Sequence, residues 1–95
     1  MRVVQIIDSL DAGGAERMAV SIANALAEKN YFSSIIATRN EGYLKQSINK
    51  NVLFLFLNKK RIIDVKAIFK IVNFVYLNKI TIIHAHSTSF FLAVI

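Results

Sequence analysis

An open parallel α/β sheet with helices packed on its faces is the fold class that the sequence predicts. Three observations carry it. Strand-like and helix-like segments alternate along the chain, the strand segments are β-branched and almost continuously apolar, and the connections between them are short and polar. Alternation of this kind builds right-handed βαβ units, whose strands are covered on both faces. A chain of 95 residues supplies one small domain, which buries a smaller share of its unfolded surface than a larger one does.

Val3-Val4-Gln5-Ile6-Ile7 is the first strand, and its apolarity places it at the centre of the sheet. From there the spacing changes. Ala15, Met18, Ala19, Ile22, Ala23, Leu26 and Ala27 fall on one stripe of a helix that ends near Lys29 and Asn30. Ser34-Ile35-Ile36-Ala37-Thr38 reads as the second strand and Arg39-Asn40-Glu41-Gly42 as the turn behind it. A short helix over 43–48 leads to a third strand, Val52-Leu53-Phe54-Leu55-Phe56-Leu57, too apolar to face water on either side. Val65, Ile68, Phe69, Val72, Val75 and Tyr76 predict a helix over 62–77 and form its core-facing side, with Lys66, Lys70 and Asn73 elsewhere. Ile80-Thr81-Ile82-Ile83-His84-Ala85 is the fourth strand, and Phe90-Phe91-Leu92-Ala93-Val94-Ile95 the first turns of another helix. The common strand order 3-2-1-4 makes strands one and four neighbours at the point where the winding reverses, and ligands of such sheets bind in that crevice. Its walls would be residues 8–14 and 84–89.

Composition narrows the function classes. A hydrophobic fraction of 55%, with three glycines and no proline, describes a folded segment with little material for a disordered linker. The absence of cysteine excludes a disulfide framework and a thiolate metal site, and a reducing cytoplasm is the simplest compartment. Gln5 and Asp8 interrupt the apolar N-terminus before a secretion-signal core can form. The uncharged stretch 80–95 is too short for an ordinary membrane span and contains His84, His86, Ser87, Thr88 and Ser89. Nearly all of the net charge of +6 lies in residues 59–79, where Lys59, Lys60, Arg61, Lys66, Lys70 and Lys79 stand against Asp64 alone. That segment reads as a solvated face, with an anionic lipid surface as the alternative. No recognition module or exposed aromatic set points to nucleic acid.

Two connections carry the chemistry. In Asp8-Ser9-Leu10-Asp11-Ala12-Gly13-Gly14-Ala15-Glu16-Arg17 a strand passes into a helix through paired glycines. Free backbone N–H groups and the helix dipole there favour a phosphate or a polyhydroxylated group. Gly13 and Gly14 are therefore candidate ligand-binding residues, and the plainer reading is a turn that needs unusual backbone angles. The dinucleotide fingerprint cannot be drawn through them, and Thr38-Arg39 stands where a nicotinamide site wants an acidic residue, so no such cofactor is expected, although Arg39 leaves a 2′-phosphate reading open. His84 and His86 share a parity around Ala85 and fall on one face. No third ligand with metal spacing accompanies them, so one structural and one functional histidine is the expectation, without a metal. Ser87, Thr88 and Ser89 either cap the helix beginning near Phe90 or bind a sugar hydroxyl. Asp8 and Asp11 read as turn-capping carboxylates, and Glu16 complements the helix dipole.

Gly13-Gly14-Ala15-Glu16-Arg17 after the first strand, the helix from Met18 to Leu26, and Ile82-Ile83-His84-Ala85-His86-Ser87 at the fourth resemble the N-terminal domain of family 4 glycosyltransferases. These are retaining enzymes of the GT-B architecture, and the resemblance covers essentially the whole chain. It implies a Rossmann-like N-terminal half, residues 1–95, that chiefly holds the acceptor. A second, C-terminal domain holds the nucleotide-sugar donor, and transfer happens in the cleft between them. Gly13 and Gly14 would present backbone N–H groups to the donor diphosphate or the acceptor, and His86 would reach the transferred sugar as the catalytic group, with His84 and Ser87 as candidate binding residues beside it. The partners implied are a nucleotide-sugar donor and a glycan or lipid-linked acceptor, for cell-surface glycan assembly in the cytoplasm or peripherally at the inner face of the membrane. No cofactor is implied. The donor domain with its paired glutamates and the further strands of the N-terminal domain have no counterpart here. The expectation is thus a truncated product or fragment that does not hold donor and acceptor together, with apolar edges that favour association or degradation. Two other classes stand beside it: a non-catalytic nucleotide- or phosphate-binding module using the same glycine turn, and a membrane-surface protein using the basic segment 59–79.

Overall fold

A computed structural model of the chain describes residues 1–9, 14–40, 42–58 and 65–86. Along it run β1 (Arg2–Ser9), α1 (Gly14–Glu28), β2 (Phe32–Asn40), a 3-10 turn (Tyr43–Ser47), β3 (Leu53–Phe56), α2 (Val65–Leu77) and β4 (Ile82–Ala85). The four strands form one parallel sheet in the order β3-β2-β1-β4, as the alternation predicts. β1 is central, and Val3, Val4, Gln5, Ile6 and Ile7 are all buried in it. The chain steps one way from β1 to β2 and back across the sheet from β3 to β4, so right-handed crossovers put α1 and α2 on opposite faces.

The pleat divides the core accordingly. Ile7, Ile35 and Ala37 pack with Ala19, Val20 and Ala23 of α1, and Leu44 and Val52 close that layer. On the other face Val4, Ile6 and Ile36 pack with Ala67, Ile71 and Phe74 of α2. Buried hydroxyls on β2 are satisfied: Ser33 Oγ donates to the Ala23 carbonyl at 2.7 Å and Ser34 Oγ to the Val3 carbonyl at 2.9 Å. Asn24 latches the segment after the 3-10 turn onto α1. Its Nδ2 donates to the Ser47 carbonyl at 2.9 Å, and its Oδ1 accepts the Asn49 N–H at 2.8 Å.

Both helices end the same way. At α1, Asn30 turns left-handed with φ 65, and the Asn30 and Tyr31 N–H groups bond back to Ala27 and Leu26 at 3.0 and 3.1 Å. Lys79, φ 53, closes α2 with Lys79 and Ile80 N–H groups returning to Tyr76 and Val75. Asparagine is tolerated in this region more readily than a longer side chain, and either residue lets orphan carbonyls of the last turn find donors.

Three expectations are corrected. Val65, Phe69, Val72 and Tyr76 do not face the core. α2 instead buries Ala67, Ile71 and Phe74, with Ile68 and Val75 half-buried beside them. The helix is apolar around most of its circumference, so two stripes with the same spacing compete, and the one containing small Ala67 lies against the sheet. On α1, Met18 is exposed and Val20 is buried, a one-step rotation of the expected stripe. β3 is not covered on both sides, because it is an edge strand with Leu53 exposed and the rest half-buried. Gly13, Asp11, Ser87, the cationic residues 59–61 and the expected helix over 90–95 lie outside the described residues.

The reassigned face of α2 sets a direct comparison. Phe74 is 9% exposed and Phe69 is 70% exposed. Phe74→Ala is expected to cost about 3–5 kcal/mol in urea unfolding, and Phe69→Ala to stay within about 0.5 kcal/mol of the parent. Equal losses at the two positions would contradict the assignment.

Candidate functional site

β1 and β4 lie side by side from Val3↔Ile82 to Ile6↔Ala85. Their C-terminal ends therefore meet where the winding of the sheet reverses, the crevice at which such sheets take ligands. The ladder runs one step past β4: the His86 N–H donates to the Ile6 carbonyl at 2.9 Å. That bond fixes where the histidine side chain begins.

Equal parity brings the two histidines together. The rings of His84 and His86 lie with centroids 4.0 Å apart and planes tilted by 38°. Gln5 pairs with His84 in register and so shares its face. From there Gln5 Oε1 reaches His86 Nε2 at 2.7 Å. His86 is buried at 8% exposure and Gln5 at 1%, whereas His84 is exposed. Gln5 is the site residue that sequence reasoning passed over, although a signal existed: it is the one polar side chain within the five-residue apolar strand Val3-Val4-Gln5-Ile6-Ile7.

Three influences set the protonation of His86. Burial is the largest and holds its pKa below the ordinary 6.5, the nearby His84 lowers it further, and Glu16 opposes both. The imidazole is thus mainly neutral at pH 7. Glu16 stands in the first turn of α1, so its influence on His86 ties the start of that helix to the end of β4. Of the two polar connections predicted to converge, the described parts, Asp8 and Ser9 at the end of β1 and His84 to His86 at β4, stand at the same end of neighbouring strands.

Gly14 opens α1 and is exposed. Among the described glycines none has positive φ, and a Cβ placed on Gly14 would meet nothing within 4 Å among the described residues. Neither backbone angle nor packing requires a glycine there, so the turn-strain reading does not hold for Gly14. The missing side chain leaves the helix start uncovered by any described residue. Among the described residues no group of three or more His, Cys, Asp or Glu side chains converges to hold a metal ion.

Comparison with known families places this arrangement. The family model described as Glycosyltransferase Family 4 matches residues 12–95. No curated protein and no solved structure shows significant similarity to the chain.

The electrostatics can be checked by following the His86 ring through a proton titration by NMR. Because His84 depresses the His86 pKa, His84→Asn is expected to raise the His86 midpoint toward 6.5 without reaching it, since burial remains. An unchanged or lower midpoint would refute the His84 contribution. The same depression links to stability: the unfolded chain takes up this proton first, so the contribution is present above pH 6.5 and is lost as pH falls through the folded value.

Proposed function

Because the chain belongs to glycosyltransferase family 4, we propose that it serves the transfer of a sugar from a nucleotide-sugar donor to a glycan or lipid-linked acceptor. In this reading residues 1–95 are the acceptor-side half of the catalytic cleft, and a second domain completes the donor site. The observation that carries it is the pairing of an unobstructed helix start at Gly14 with a buried, neutral His86 at the end of the adjacent strand.

The chemistry follows from what each group can do. As the bond from the anomeric carbon to the diphosphate oxygen lengthens, negative charge grows on the leaving diphosphate. Backbone N–H groups at Gly13 and Gly14, together with the positive end of the α1 dipole, stabilise that charge. His86 is the catalytic group of this half: uncharged, it hydrogen-bonds the transferred sugar and holds it in the reacting orientation without opposing the developing positive charge at the sugar ring. The exposed ring of His84 adds a polar group for donor or acceptor, and Ser87 is the further binding residue that this reading assigns.

Uridine diphosphate and guanosine diphosphate are suitable probes, followed through amide chemical shifts. The expected perturbations centre on Gly14, Glu16 and His86. Gly14→Val is expected to weaken binding about tenfold or more, equivalent to at least ~1.4 kcal/mol, because its side chain occupies the open approach, and His86→Ala is expected to weaken it as well. Unchanged affinity in both variants would overturn the site.

A second reading, favoured by α2, concerns where the protein works. Val65, Phe69, Val72 and Tyr76 are exposed at alternating spacings of four and three, and Lys66 and Lys70 are exposed beside them. We propose that this face rests on an anionic membrane at its cytoplasmic side, with the aromatic rings at the headgroup boundary and the lysines toward lipid phosphates. Among the described residues no helix is long and apolar enough to cross a membrane. Sedimentation with phosphatidylserine vesicles tests the contact: Lys66→Gln with Lys70→Gln should lower partitioning roughly thirtyfold, from about 1 kcal/mol per lysine. Partitioning that survives both changes would rule this face out.

A further inference from the structure

We propose that Gln5 is a positioning residue for His86, holding its Nε2 so that Nδ1 is the ring nitrogen offered, as an acceptor, to a ligand hydroxyl. The inference rests on the reading of His86 as the group that reaches the sugar. Gln5 lies in the central strand with apolar neighbours on both sides, Val4 and Ile6, which are fully buried. Nothing in the packing asks for an amide there, because leucine or methionine would fill a similar volume without taking a polar group out of water. The polar contact formed by the amide is the 2.7 Å one to His86 Nε2. Gln5 Nε2, the other end of the amide, is buried and has no partner among the described residues. A buried amide whose contact among the described residues is this one, with its own donor unmet there, marks that contact as the reason for the residue.

The contact also selects a tautomer. A neutral imidazole carries one N–H, so with the Gln5 carbonyl accepting from Nε2, Nδ1 keeps its lone pair. The backbone bond from His86 N–H to the Ile6 carbonyl, 2.9 Å, fixes the other end of the side chain. The ring is then held at two points, with His84 4.0 Å away on one side. The titratable groups that act on it are His84 from β4 and Glu16 from α1. A rotated amide would place an N–H against Nε2 and move the proton to Nδ1, which would present a donor to the ligand instead.

Ring-nitrogen NMR of the ¹⁵N-labelled 95-residue chain distinguishes these states and needs no ligand. The expected result is an Nε2-protonated neutral His86 in the parent, a mixture of tautomers and a lower midpoint in Gln5→Leu, and a retained Nε2-protonated form with a raised midpoint in Gln5→Glu. An Nδ1-protonated His86 in the parent would overturn the proposal, and so would tautomer populations and midpoint that neither substitution moves. Should Gln5→Leu fail to fold, Gln5→Glu and the parent spectrum still decide it. Failure of the site reading appears separately, as diphosphate binding that His86→Ala leaves intact.

Discussion

The register between β1 and β4 is the constraint on which the rest depends. Side chains alternate along a strand, so a slip of one residue would carry His84 and His86 to the α2 face and separate them from Gln5. Several contacts at the start of β4 oppose that slip. The Arg2 N–H donates to Thr81 Oγ1 at 3.0 Å and the Thr81 N–H to the Arg2 carbonyl at 2.8 Å. Arg2 Nε also donates to the Asn78 carbonyl at 2.6 Å, just beyond the last turn of α2. Packing of α2 on Val4 and Ile6 sets the height of the helix over the sheet, and the left-handed Lys79 then turns the chain into β4. The clamp at one end of the strand pair thereby positions the polar cluster at the other.

At that other end the structure trades stability for a polar arrangement. Hydrophobic residues dominate both faces of the sheet, yet Gln5 and His86 are buried against each other at the α1 side. Burial keeps His86 neutral, which lowers the cost of enclosing it and makes it a hydrogen-bonding group of either polarity. At Gly14 no described residue lies within 4 Å of where a side chain would begin. In this family 4 glycosyltransferase sequence a buried imidazole and the start of α1 thus stand at one end of the sheet.

Much of the fold was legible because each strand and helix reports its own period. β1 announced its central place through almost continuous apolarity, the alternation of elements led to the strand order, and the single residue between His84 and His86 put both on one face. The outward stripe of α2 was not legible. Val65, Phe69, Val72 and Tyr76 satisfy helical spacing as well as Ala67, Ile71 and Phe74 do, and the choice is made by how closely the backbone approaches the sheet, which spacing does not encode. Likewise the apolarity of β3 suggested coverage on both sides, while its half-buried state follows from an edge position fixed by topology. Gln5 escaped notice because its partner lies 81 residues away in sequence. Only the β1–β4 pairing makes the two neighbours.

The most direct measurement of this account is the pattern of interstrand nuclear Overhauser effects between β1 and β4 in the labelled chain. The register found here requires contacts that link Gln5 with His84 and Ala85, and Ile6 with the amide of His86. A pattern shifted by one residue, with Gln5 opposite Ile83, or contacts joining β1 to β3 in place of β4, would contradict it.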